Sequence, residues 1–231
     1  MWKVRVFTLY PELFPGPLGS GLYKKALEKK LWSLEVVNIR DYATDKHKTV
    51  DDPPYGGGSG MLMRADVLAN SIDKNISNKN ETIIYLTPRG KNFDQIYAKK
   101  LYKKNLNIIC GHFEGVDQRL LETRNIEEVS IGDFVMSGGE IGAFVLIDTV
   151  VRLIPGVLGN STSLTEESFE KNLLEYPQYT KPQKWEKKEV PPVLLTGDHA
   201  KIKHWRLTQS EDITRRRRPD LWKKYKKNEK H

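Results

Sequence analysis

Ser130-Ile131-Gly132-Asp133-Phe134-Val135-Met136-Ser137-Gly138-Gly139-Glu140 is the stretch around which the rest of the chain can be ordered. A strand-like piece, residues 126–131, runs into a glycine-rich loop, and the loop opens a long apolar segment, residues 141–154. Gly138 and Gly139 accept backbone angles closed to other residues, and they leave no side chain between the backbone and whatever lies against it. Phe144, Ile147, Asp148, Val151 and Arg152 recur at three- and four-residue spacings, as in a packed helix. Alone, this is a strand-to-helix turn. Two further stretches change its meaning. Tyr85-Leu86-Thr87-Pro88-Arg89-Gly90 and Cys110-Gly111-His112-Phe113-Glu114-Gly115 also end apolar strands with small or turn-forming residues. Open α/β sheets bind ligands at the carboxyl ends of their strands, so three such loops can converge on one ligand.

Around these loops the pattern alternates. Strands are expected at residues 3–9, 34–39, 82–86, 106–110 and 126–131, and helices at 18–31, 64–76, 92–102, 116–124 and 141–154. Asn92 is the expected N-cap of the third helix. The alternation implies an α/β fold, a mostly parallel sheet with helices on both faces. Residues 41–60 form a long loop, with Asp51, Asp52, Tyr55 and a glycine run that includes Gly58. The run is neither a phosphate loop, since no Gly-Lys-Ser/Thr follows, nor a dinucleotide fingerprint, since Met61 and Met63 stand where the last glycine belongs. Basic, acidic and aromatic groups together suit contact with a nucleotide, and a flexible linker is the plain alternative.

After residue 158 the grammar changes. Residues 160–165 read as a linker, proline recurs at 177, 182, 191 and 192, and Asp198 is the expected N-cap of a helix bearing His199, Lys203, His204, Trp205 and Arg206. Arg215, Arg216, Arg217 and Arg218 follow in a block, and Pro219 opens a last helix. The formal charge is +8 over 231 residues, and it is uneven. Residues 1–158 hold 21 Lys and Arg against 19 Asp and Glu, whereas residues 159–231 hold 17 against 11. The expected organisation is an α/β domain over 1–158, a linker over 159–166 and a small basic helical domain over 167–231. A basic module points to nucleic acid, with solvated charge as the bland alternative. No run of about eighteen apolar residues would span a membrane, no signal peptide precedes the first strand, and Cys110 has no cysteine to pair with. A cytoplasmic protein is expected. His199 and His204 are five apart, which is poor spacing for one metal, so no tight metal site is expected, and Cys110 reads as a small buried hydrophobe.

Several pieces together carry a resemblance. They are residues 49–63, the loop 110–115, residues 130–140, Arg152-Leu153-Ile154-Pro155-Gly156-Val157-Leu158-Gly159, Ser168-Phe169, Tyr179-Thr180-Lys181-Pro182, residues 190–197 and Trp205-Arg206. In these the chain resembles the bacterial tRNA (guanine-N1)-methyltransferases, which modify the guanosine just 3′ of the anticodon. The resemblance implies what periodicity does not show: a deep C-terminal trefoil knot of the SPOUT type, formed by the three loops and holding S-adenosylmethionine. It implies an obligate homodimer and a tRNA anticodon stem-loop bound through the C-terminal domain, with weak magnesium involvement. The implied cofactor residues are Tyr85, Leu86, Thr87, Pro88, Gly111, Glu114, Gly115, Ser130, Ile131, Gly132, Val135, Met136, Ser137, Gly138, Gly139 and Gly142. Asp51, Tyr55, Gly58, His199, Lys203, Arg206 and the four arginines 215–218 are the implied RNA contacts.

The chain departs from the family at three places. Glu167 stands where the family carries aspartate, Gly142 where proline is frequent, and Asp198 where Asn or His is frequent. Protonated guanine N1 is a poor nucleophile, so the chemistry needs a base near N1 and a cation near the base oxygen. Glu167 and Arg152 are the expected pair. By their residue types alone, Glu167 reads as a solvated linker carboxylate and Arg152 as a cation at a helix end. A second reading from another class, a non-catalytic RNA-binding protein on a knotted scaffold, draws on the lost aspartate.

Overall fold

The computed structural model describes residues 1–78, 80–159 and 167–228. The chain divides into two compact units, Met1–Gly159 and Asn160–His231. Of the linker expected over 159–166, only Gly159 lies within the described residues.

In the first unit the elements run β1 (Trp2–Thr8), α1 (Gly21–Glu28), β2 (Trp32–Asn38), the short β3 (Asp51–Asp52) and β4 (Leu62–Met63), α2 (Ala65–Asn75), β5 (Thr82–Asn92), α3 (Gln95–Leu101), β6 (Leu106–Ile109), α4 (Gln118–Thr123), β7 (Glu127–Ser130) and α5 (Glu140–Val151). Five strands form one sheet in the order β2-β1-β6-β5-β7, and every pairing in it is parallel. Parallel pairing needs a crossover for each strand, which the intervening helices supply. Strand parity then sorts the side chains. Phe7, Ile83, Tyr85 and Ile109 face one way and pack with Val67, Leu68 and Ile72 of α2 and Leu120 and Leu121 of α4. Trp2 and Thr8 of β1 face the other way. The Trp2 indole donates to the Leu101 carbonyl at the end of α3, and Thr8 meets Glu140 at the start of α5. Helices therefore cover both faces, as the alternation predicts.

Several boundaries differ from expectation for local reasons. The helix expected over 18–31 is cut at Gly21, whose φ of +56° suits glycine, leaving a 3-10 turn (Gly16–Gly19) and the shorter α1. β5 does not stop at Leu86. It leaves β7 there, makes an excursion through Thr87 to Gly90, and pairs again as Lys91 meets Val129 and Asn92 meets Ser130. Asn92 is thereby held in the sheet, and Asp94 caps α3 instead by accepting from the Tyr97 amide at 2.8 Å. The loop 41–60 is structured in part. The Asp45 carboxylate accepts from the Thr49 and His47 amides, Val50 is buried, and Asp51 and Asp52 pair antiparallel with Met63 and Leu62. The fully buried stripe of α5 is Ala143, Leu146, Ile147, Val150 and Val151, while Phe144, Asp148 and Arg152 are half-buried.

The second unit contains a two-stranded hairpin, β8 (Lys184–Trp185) with β9 (Lys188–Glu189), and two helices, α6 (His199–Arg217) and α7 (Pro219–Asn228). Asp198 caps α6 as expected, accepting from the Ala200 and Lys201 amides. Thr214, buried on α6, donates to the Ser210 carbonyl and accepts from the Leu174 amide, which ties the extended segment after the 3-10 turn (Glu170–Asn172) to the helix.

Candidate active site

The three loops come together. At the excursion within β5 and the carboxyl ends of β6 and β7 a cavity of about 210 Å³ is lined by Tyr85, Leu86, Thr87 and Pro88, by residues 111–115, and by residues 129–132 and 134–139. All the expected cofactor residues line it except Gly142. That glycine lies buried in α5, where a Cβ would stand 3.1 Å from Leu86 Cδ1 and 3.3 Å from Met136 Cε, two atoms of lining residues.

The glycines act by absence of bulk. Gly139 sits at φ −80°, ψ −12°, a conformation open to any residue, so backbone freedom is not its purpose. Its amide donates to the Gly111 carbonyl at 3.0 Å, and a Cβ there would fall 2.6 Å from Cys110 Cα. A Cβ on Gly138 would fall 2.2 Å from His112 Cε1, and one on Gly111 would fall 2.5 Å from Tyr85 Cε2. Of the two properties expected of Gly138 and Gly139, permissive angles and a missing side chain, the second is the one used here: they let one loop lie flat on the next. Positive φ belongs to Gly115 and Gly132, at +122° and +154°. The Ser130 hydroxyl is taken up by the turn at Gly132, donating to its carbonyl and accepting from its amide.

The cavity offers apolar side chains, Leu86, Ile131 and Met136, beside exposed backbone of three loops. That combination suits a flat, partly apolar ligand with polar edges. Burial pushes the Tyr85 phenol up, so it stays neutral at the cavity wall, and burial likewise pushes the Cys110 thiol up, which makes it an inert filler. Glu114 joins the cavity to the glycine run. Its amide donates to the Met61 carbonyl at 2.9 Å, and a Cβ on Gly60 would meet its carboxylate at 2.5 Å.

A family model described as tRNA (Guanine-1)-methyltransferase TrmD matches residues 2–224. The chain belongs to this family. The chain is 66% identical over 229 residues to the tRNA (guanine-N(1)-)-methyltransferase of Pelagibacter ubique, covering 99% of this chain and all of that protein. It is 57% identical over 223 residues to the enzyme of that name from Mesorhizobium japonicum, covering 95% and 96%, and 53% identical over 228 residues to that from Bartonella tribocorum, covering 98% and 97%.

In this TrmD-family chain the expected catalytic pair is divided between the units. Arg152 is the C-cap of α5, its amide donating to the Asp148 carbonyl, and Asp148 has its carboxyl pushed up by burial, an effect the nearby Arg152 opposes. Glu167 belongs to the second unit, where its carbonyl accepts from the Glu170 amide. Glu166 lies outside the described residues. Gly139 and Arg152 bracket the 12-residue α5, so they stand roughly 20 Å apart along its axis.

The expected RNA residues fall into distinct settings. Asp51 is held in β3, Tyr55 is 98% exposed, and Gly58 takes φ +129° in the glycine run. His199 begins α6, and Lys203 is exposed on it. The Arg206 guanidinium lies 4.8 Å over the Tyr176 ring, and Arg218 pairs with Asp220 at 2.6 Å and lies 6.0 Å from the Phe169 ring. Both are thus engaged within the unit. Arg215 pairs with Asp212, Arg216 donates to the Asp212 carbonyl, and Arg217 is exposed. Among the described residues, no three His, Cys, Asp or Glu side chains are grouped to hold a metal ion, and no helix is long and apolar enough to cross a membrane.

Sequence reasoning missed His112, which lines the cavity, and Glu140, buried behind it. The one available signal was a carboxylate directly after two glycines, at a helix start.

Proposed function

We propose that this protein transfers a methyl group from S-adenosylmethionine to N1 of the guanosine just 3′ of the anticodon in tRNA, in the cytoplasm. The observation that carries the reading is the cavity: three strand-end loops, pressed together through Gly111, Gly138 and Gly139, present backbone and apolar side chains to one ligand. The methyl donor fits that lining, and when bound it supplies an electrophilic carbon on a sulfonium. A non-catalytic scaffold has no use for such a cavity.

The chain's own groups then have these tasks. Glu167 takes the proton from guanine N1, and Arg152 stabilises the negative charge that grows on the base oxygen. The bond from N1 to the methyl carbon forms as the methyl–sulfur bond breaks, and that electron pair stays on sulfur. Tyr55, Gly58 and Asp51 on the first unit, with the basic face of α6, receive the RNA.

The separation along α5 favours a dimer. In one chain Arg152 stands at the far end of that helix from the cavity, so its task needs a second copy. The outward ridge of α5 offers the surface for one, with Ile141 62% and Val145 45% exposed, and Val135 in the preceding loop 88% exposed.

The test is methylation of an anticodon stem-loop RNA with mass mapping of the product. A methyl group on N1 of that guanosine is expected. No transfer by folded, donor-saturated protein would overturn the reading.

A further inference from the structure

Glu140 is the one acidic residue among the buried residues described, 3% exposed, and the proposed reaction gives it no task. It takes the first position of α5, where the unpaired amides of a helix start favour a carboxylate. Both of its oxygens have partners. Oε1 accepts from Thr8 Oγ1 at 2.5 Å, and His112 Nε2 lies 2.9 Å from Oε1 and 2.8 Å from Oε2. The pairing of Nε2 with both carboxylate oxygens joins the loop 110–115 to the start of α5.

Each partner belongs to a different segment. Thr8 is the last residue of β1, and its hydroxyl oxygen also accepts from the Tyr10 amide at 2.9 Å. His112 sits in the loop after β6. Its amide donates to Met63 Sδ at 3.3 Å, and its ring meets the Tyr10 ring edge-on at 4.9 Å. Its Cε1 fills the place a Cβ on Gly138 would take, and the two residues form an isolated antiparallel bridge. His112 and Gly138 line the cavity, whereas Thr8 and Glu140 stand behind it.

We propose that Glu140 is a positioning residue for the cofactor pocket. Through Thr8 and His112 it fixes the loop 110–115 against residues 137–139, and so sets the width of the cavity before the ligand arrives. The inference rests on the reading of that cavity as the S-adenosylmethionine site. Preorganisation of this kind raises affinity by removing the ordering cost at binding. A group that merely supported the fold would leave affinity alone in any variant that still folds.

The experiment is calorimetric titration of the full chain with S-adenosylmethionine, with thermal midpoints measured on the same samples. The proteins are wild type, Thr8→Val, Thr8→Ser, Glu140→Gln and Gly139→Val. Thr8→Val keeps the shape of a side chain outside the cavity and removes its hydroxyl. Thr8→Val and Glu140→Gln are expected to bind about tenfold more weakly, as for loss of one hydrogen bond to a charged group, and Thr8→Ser within about twofold of wild type. In steady state, the KM for the cofactor should rise by more than kcat falls. If Thr8→Val and Glu140→Gln fold and bind like wild type while their midpoints drop, the network is structural only and the proposal falls. Should Glu140→Gln not fold, the Thr8 pair decides, and equal affinities of Thr8→Val and Thr8→Ser overturn the proposal. Wild type that does not bind, or Gly139→Val that binds as wild type does, is a different failure: it removes the cofactor reading and this inference with it.

Discussion

Gly139 lies so close to Cys110 that a single methyl group would not fit between them: a Cβ on Gly139 would stand 2.6 Å from Cys110 Cα. The obstacle is main chain, which cannot rotate away as a side chain would. Gly139→Ala should therefore already impair the pocket, and Gly139→Val should abolish cofactor binding, with a stability loss of about 1–3 kcal/mol from overpacking. Gly159→Ala is the control, since nothing lies within 4 Å of its Cβ position, and it should change stability by less than about 0.5 kcal/mol. Calorimetry and denaturant titration read both. Undiminished affinity in folded Gly139→Val would sink the assignment of the pocket.

Glu167 carries the sharpest chemical prediction, because it is the proposed base. Glu167→Gln should lower the single-turnover methylation rate by about 10²–10⁴-fold with cofactor binding retained, the range for a positioned general base. Glu167→Asp should retain activity. Glu166→Gln should change little. A dead Glu166→Gln with an active Glu167→Gln would shift the base by one residue, and full activity in both would move it elsewhere, with Glu114 or Glu175 examined next.

The arginines of the second unit should separate into two groups. Replacing Arg215, Arg216 and Arg217 by alanine should flatten the dependence of tRNA affinity on salt, by roughly 0.7–0.9 in slope for each phosphate no longer neutralised. Arg206→Ala should instead act on folding, because its guanidinium lies over Tyr176. Filter binding over a salt series, beside thermal unfolding, distinguishes these. An unaltered slope in the triple variant would mean that its charge is solvated and nothing more.

Arg218 and Asp220 supply a pH prediction. Hydrogen bonding from Arg218 pulls the Asp220 carboxyl down to about 2 from an ordinary 3.8. A carboxyl depressed in the folded state adds stability above its unfolded value, and that contribution is lost as pH falls through the folded value. The pair's contribution should thus be complete above pH 3.8 and fade toward about 2. Asp220→Asn should remove this part of the acid slope. An identical slope in the variant, by denaturant titration across that window, would show the pair to be without effect.

Ile141→Glu together with Val145→Glu should leave the monomer folded and disrupt association, since both side chains point outward from α5. Sedimentation equilibrium gives the answer. The methylation rate should fall with dimer content. A variant that is monomeric yet fully active would show that one chain completes the site.

The sheet was legible because period-two apolar runs alternate with helical spacings, and because turn residues mark strand ends. The cavity was legible because three glycine-bearing strand ends follow one another. Other features were hidden for a physical reason: they depend on partners remote in sequence. Nothing around Asn92 announces that β5 returns to pair with Ser130. Nothing around Gly139 tells angle from proximity, and only the neighbouring loop decides it. Glu140 and His112 are ordinary residue types whose meaning lies in Thr8, far away in the chain.

That distance also bears on how the protein is made. Thr8 and Glu140 are 132 residues apart in sequence, so the lock between them closes one of the largest loops in the first unit. Contacts this remote cannot form until their later member has been synthesised, at about 5–20 residues per second. A chain arrested before α5 has β1, β6 and the 110–115 loop but no hub to set them. A ligand that binds only the finished arrangement would then stabilise completed chains over partial ones through mass action.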